Sequence, residues 1–131
     1  MPRVSQLFFA VSVICAIAGM AWGIQMAESN VHDQIPAHAH LNLLGWVGSA
    51  IYGTFFALNP GRFRRTAWVV LILNTIGVAA MITFLALFYA GGTQPTSPYL
   101  MPLQISVAIV TAGMIVFATA VFRRLFSSQT P

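Results

Sequence analysis

The side chains best suited to chemistry are His38 and His40, set two residues apart in Pro36-Ala37-His38-Ala39-His40-Leu41-Asn42-Leu43-Leu44-Gly45-Trp46-Val47-Gly48. The stretch is otherwise largely apolar and opens a run long enough to enter a membrane. Ionisable side chains in such a run are costly and usually functional. Residues two apart on an α-helix lie about 200° apart around its axis, so the pair cannot grip one ion from one face. His40 shares a face with Leu43, Leu44, Val47 and Ile51, which is bulky and apolar. His38 shares a face with Asn42, Gly45, Ser49 and Gly53. The small residues at four-residue spacing allow close helix approach in lipid, and they would equally admit a flat cofactor. The competing reading is interfacial, with both rings hydrogen-bonding water or headgroups.

Neutral imidazole suits iron, copper and zinc. One histidine per face is too few for a tetrahedral zinc site. Haem needs only one or two axial imidazoles and an apolar slot, so haem fits this pattern best. His40 and His38 are then the candidate iron ligands. Asn42 joins the cofactor-binding set, and Trp46 joins it as a side chain able to pack on a porphyrin face. Met20, Met26 and Met101 are alternative axial ligands, although packing is the default role for methionine. His32 reads as a loop histidine. A copper or zinc site of His32, Asp33 and His38 is a further reading, and Glu28 is another neighbour able to share a metal with His32 and Asp33. Cys15 is alone in an apolar run and reads as a small buried hydrophobe.

The elements that must position these residues follow from composition. Of 131 residues, 58% are hydrophobic and 6% charged, against about a quarter charged in soluble domains. Lipid is therefore the expected solvent, and the length suits one domain covering 1–131. A spanning helix needs roughly 20 apolar residues, and four segments qualify, at about 7–26, 39–58, 67–90 and 102–122. Polar breaks separate them at Glu28–Gln34, Asn59–Arg65 and Gly91–Pro98. The predicted fold class is all-α, a four-helix transmembrane bundle. Asn74, Thr75, Gln104 and Ser106 read as interhelical hydrogen-bonding residues. Trp22, Trp46, Tyr89 and Tyr99 read as interfacial anchors.

With four spans, Arg3, Arg62, Arg64, Arg65, Arg123 and Arg124 fall on one side, while Glu28 and Asp33 fall on the other. The positive-inside rule makes the first side, with both termini, cytoplasmic. The protein is then expected in a bacterial-type inner membrane, multi-pass, with the histidine pair toward the periplasmic side. The first apolar run is long for a signal peptide and reads as a retained helix. The net charge of +4 comes from arginines at membrane edges, so no nucleic-acid partner is expected.

His38-Ala39-His40 followed by Leu44-Gly45-Trp46-Val47-Gly48 resembles the His-x-His helix of subunit I of the haem-copper oxidases, especially the C-type enzymes. His40-Leu41-Asn42-Leu43-Leu44 is similar to the second helix of the related nitric oxide reductases. The resemblance implies haem b, with His40 matching the low-spin ligand and His38 the high-spin ligand. It also implies haems toward the outer side of the membrane. The family's subunit has twelve helices in three four-helix arcs, and this chain has the size of one arc. It lacks the further histidines of the copper site, the arginines near the haem propionates, and the carboxylates and lysines of the proton channels. Activity as an oxygen or nitric oxide reductase is thus not expected of one chain, and any catalysis would be haem-based redox chemistry.

A homo-oligomer is expected to supply the second axial ligand. Three copies would rebuild the twelve-helix ring, with His40 from one chain and His38 from the next on each haem. A dimer with one haem between two His40 rings competes with this. The function expected is electron transfer with a donor protein, or binding of a diatomic gas. The alternative is a non-catalytic accessory or assembly subunit of a respiratory oxidase, docking through the Gly45/Ser49/Gly53 stripe.

Overall fold

The structure, a computed structural model, describes residues 1–91 and 93–127. Gly92, part of the third polar break, and the C-terminal residues 128–131 lie outside the described residues. Four long helices run over Arg3–Ser29, Ile35–Leu58, Arg64–Ala90 and Leu100–Ser127. They are called here the first to fourth helices. Each is long and apolar enough to cross a membrane. Each contains its expected span and extends past it into the polar flanks. Prolines mark the starts without breaking them: Pro36 and Pro102 fall in first turns, where a backbone N–H has no intrahelical acceptor to lose. Asn30 ends the first helix in the left-handed region, at φ 53°. That conformation suits a short polar side chain at a helix C-terminus.

The first and second helices pair closely, and the third packs against both. The fourth lies along the third. Only 22–33% of the residues in each apolar window are buried. The outward surface carries Ile14, Ile17, Ile24, Leu43, Ile72, Ile76 and Ile115, all exposed. An apolar exterior on this scale calls for lipid or protein around it rather than water.

Lipid tails remove the hydrophobic drive between helices, so association rests on close packing and hydrogen bonds. Both are present. A Cβ placed on Gly77 of the third helix would lie 2.9 Å from Val110 Cγ2 on the fourth. Asn74 and Ser49, both buried, join the third helix to the second, the Asn74 amide donating to Ser49 Oγ at 3.0 Å. Ser106, also expected to bond between helices, instead donates to Leu103 O within its own helix at 2.7 Å. The Thr75 hydroxyl is buried and has no hydrogen-bond partner among the described residues.

At one end the bundle closes on aromatic rings. Phe8 stacks on Phe56 at 5.8 Å between centroids, and Tyr52 meets Phe117 of the fourth helix at 4.6 Å. The arginines gather at this end. Arg3, Asn59 and Arg64 line one crevice, and Arg124 Nε donates to Asn59 Oδ1 at 3.0 Å. The start of the first helix and the end of the fourth therefore lie together, as an even number of antiparallel helices requires.

The Asn74–Ser49 bond is the expected polar tie across the core. In a cycle of Asn74→Ala, Ser49→Ala and the double variant, we expect a coupling of about 0.6 kcal/mol and no more than roughly 1.7. Reversible unfolding in mixed micelles measures it. Additive losses would show that the bond contributes nothing.

Candidate functional site

The second helix does not keep α-helical winding. Ile35–His40 is α-helical, Leu41–Gly48 is a π-helix, and Ser49–Leu58 returns to α. The sequence predicts one regular α-helix here, and the π segment departs from it. π segments are rare and frequently lie at functional sites. Two features permit one here. Gly45 and Gly48 leave the wall free of Cβ atoms. The hydroxyl of Ser12, from the first helix, donates to the Trp46 carbonyl at 2.9 Å, giving that backbone group a partner outside its own helix. Both histidines precede the π stretch, in the last turn of the α-helical part.

The two rings diverge, as residues two apart must. His38 faces the first helix. It lines an open cleft with Met20, Gly23, Ile24 and Asn42, and it meets the Trp22 ring edge-on at 6.5 Å between centroids. The Asn42 side-chain amide donates to the His38 carbonyl at 3.0 Å and lies 3.3 Å from His38 Nε2. His38 is thus half-buried and engaged inside its own chain.

His40 is exposed. Its Nδ1 lies 2.7 Å from the Pro36 carbonyl oxygen. A carbonyl only accepts, so Nδ1 carries the proton and a neutral ring keeps its lone pair on Nε2. Metal-binding histidines almost always donate their second ring N–H in this way, to a carboxylate or backbone carbonyl, which fixes tautomer and ring orientation. Leu43, Val47 and Ile51, further along the same helix, are exposed as well. The result is a pre-set imidazole on an apolar outer wall. Trp46 is exposed on the outer surface as well, beside Val47 and Ala50.

The stripe of Gly45, Ser49 and Gly53 is consumed within the chain. A Cβ on Gly45 would lie 2.8 Å from Cys15 Sγ, and one on Gly53 would lie 3.0 Å from Phe8 Cβ. The close approach expected of the stripe is realised against the first helix. Only at Gly45 does the stripe border open space, an apolar groove of about 420 Å³ shared with Cys15, Thr75, Val78 and Ile82. Cys15 is half-buried in this seam rather than displayed.

The first helix contributes residues that the sequence reading passed over. A Cβ on Gly19 would collide with the Asn42 amide, and one on Gly23 would lie 3.2 Å from His38 Cε1. Gly19-Met20-Ala21-Trp22-Gly23 is a Gly-x-x-x-Gly pattern, the signal of a close helix crossing in lipid. It sets the depth at which Asn42 and His38 sit. Met20 lines the His38 cleft, whereas Met26 is buried and Met101 exposed. His32 is exposed in the connection before the second helix. Among the described residues, no three His, Cys, Asp or Glu side chains come together to hold a metal ion. The zinc or copper reading of His32, Asp33 and His38 therefore gains no support. A haem needs no such cluster, because one axial imidazole per chain suffices.

Gly19→Val forces the Asn42 amide to move. We expect a loss of about 1–3 kcal/mol in micellar unfolding, the usual range for overpacking. Ala21→Val, on the exposed side of the same helix, should change little. Equal losses would show that the Gly19 contact carries no special weight.

The chain has no significant match among protein-family models, curated proteins or solved structures, so the reading of this site rests on its own residues and their geometry.

Proposed function

We propose that this chain is a membrane haem b protein that holds its cofactor between copies of itself and serves electron transfer or diatomic-gas binding. The observation that carries the proposal is the His40 ring, locked by its Nδ1–H···O=C bond to Pro36 and turned outward on an apolar wall. That donor set fits one axial position of a haem. It does not form a pocket alone, so a second surface must close the site. The haem, when bound, supplies the redox or gas-binding chemistry. The chain's own residues hold the Nε2 lone pair in place, keep water from one side with Leu43, Val47 and Ile51, and fix the ring's orientation.

His38 is the weaker ligand on this reading. A threefold assembly of four-helix units, the twelve-helix plan of the haem-copper oxidases, would need His38 of a neighbouring chain as the second ligand. Its ring faces the first helix and sits against Asn42, which makes it a poor donor to a neighbour. A twofold pair that presents two His40 rings to one haem suits the geometry better than the trimer. In the proposed orientation both termini are cytoplasmic and the histidines lie toward the periplasmic side of a bacterial-type inner membrane. The arginine-rich end supports this through the positive-inside rule.

The purified chain should show a Soret band. His40→Ala should abolish it, and His38→Ala should leave most of it. A haem-to-chain ratio of one half identifies the His40 pair, and a ratio of one identifies the threefold ring. Carbon monoxide should leave the reduced spectrum unchanged if both axial positions are filled. Haem content indifferent to both substitutions overturns the assignment. Absence of a Soret band, with co-purification of a larger oxidase, would favour the accessory-subunit alternative.

Orientation has its own check. In a Cys15→Ser background, His32→Cys should react with a membrane-impermeant maleimide in intact spheroplasts, and Arg62→Cys should react only after lysis. The reverse pattern would invert the proposed topology.

A further inference from the structure

We propose that the arginine end of the bundle binds the phosphodiester headgroup of an anionic phospholipid in the crevice between the first and third helices. The crevice has a volume of about 280 Å³. Arg3 and Arg64 stand on its wall with Asn59 and the exposed Trp68, over a buried floor of Phe56 and Ala67. Arg3 and Arg64 belong to different helices and are both exposed.

Among the described residues no acidic side chain stands at this end. The chain has only two carboxylate side chains. Glu28 lies at the far end of the first helix, and Asp33 lies in the connection that follows it. The arginines also carry the wrong sign for their positions. Arg3 and Arg64 open their helices, neither first turn holds an acidic residue, and neither helix has a side-chain cap. The helix dipole adds positive potential there instead of offsetting the guanidinium charge. An anion brought from outside resolves both problems.

The composition of the wall selects among anions. Guanidinium groups pair with phosphate oxygens through a planar fork. Inorganic phosphate would use that fork and leave the apolar wall unfilled. A phospholipid uses both, with its phosphodiester on the arginines and its glycerol and first methylenes against Trp68. Trp68 stands where an indole ring anchors at headgroup level. Basic pockets between membrane helices are known hosts for acidic headgroups. The inference rests on the four apolar helices lying in a bilayer and does not depend on the haem reading.

The test is native mass spectrometry of the purified full chain in detergent. The chain is titrated with phosphatidylglycerol, with phosphatidylcholine of the same acyl chains, and with inorganic phosphate. Phosphatidylglycerol should be retained in preference to phosphatidylcholine. Arg3→Gln/Arg64→Gln should weaken its binding by roughly fivefold per arginine. Arg65→Gln/Arg123→Gln removes the same charge away from the crevice and should keep most of the preference. Unchanged phosphatidylcholine binding and helical content show that the crevice variant is folded. If it is not, Arg3→Lys/Arg64→Lys keeps the charge and should show a partial loss. The proposal is overturned if the two lipids bind alike, if the equal-charge control loses as much, or if inorganic phosphate displaces the lipid.

Discussion

The seam between the first and second helices is the contact on which the rest of the structure depends. It is built by removing atoms. Gly19 and Gly23 on one side, and Gly45 and Gly53 on the other, each leave a place that a neighbouring side chain enters. In water an apolar surface would drive such a pairing. In lipid it cannot, and van der Waals contact at short range takes over. Dispersion falls off steeply with separation, so the seam works only if the backbones come close. Once they do, Ser12 reaches the Trp46 carbonyl, Asn42 is pressed onto Gly19, and His38 is trapped against Gly23.

The π stretch follows from the same closeness. A backbone carbonyl that accepts from Ser12 is less dependent on its own helix, and two glycines make the wider turn easier to form. The consequence is a division of labour between the histidines. The last α-helical turn carries both, but the inner one is absorbed into packing and the outer one is fixed by the Pro36 carbonyl. Neither the tautomer of His40 nor its exposure requires a cofactor to be explained. Both are what a ligand held ready for an external partner needs.

Much of this was legible in the residues. Four apolar runs gave four helices because their length and their polar breaks agree. The divergence of His38 and His40 follows from helical geometry, and the Gly45/Ser49/Gly53 stripe announced a close contact. What fills that stripe was not legible, since a small residue states that something approaches and not what. Gly19 and Gly23 were legible as a Gly-x-x-x-Gly pair. The side chains that press on them were not, because contact depth is set jointly by both helices. The π winding was beyond reach, because hydrophobic periodicity presupposes a regular turn. The arginines were visible as a charge asymmetry. The crevice they line was not, because it forms only when the first turns of the first and third helices meet.

The two ends of the bundle solve opposite problems with the same economy of charge. At the histidine end the chain has two carboxylates and exposed polar loops, and an imidazole faces outward with one ring nitrogen held by the Pro36 carbonyl. At the other end it has six arginines and no carboxylate side chain. The aromatic cluster of Phe8, Tyr52, Phe56 and Phe117 stiffens the arginine end from inside. The guanidinium groups outside that cluster are exposed, and exposed cations beside an apolar wall suit the boundary between headgroups and lipid tails. On the proposed reading an anionic lipid meets both surfaces at once, where a soluble anion meets only one, and the arginine end ties the orientation of the bundle to the leaflet around it.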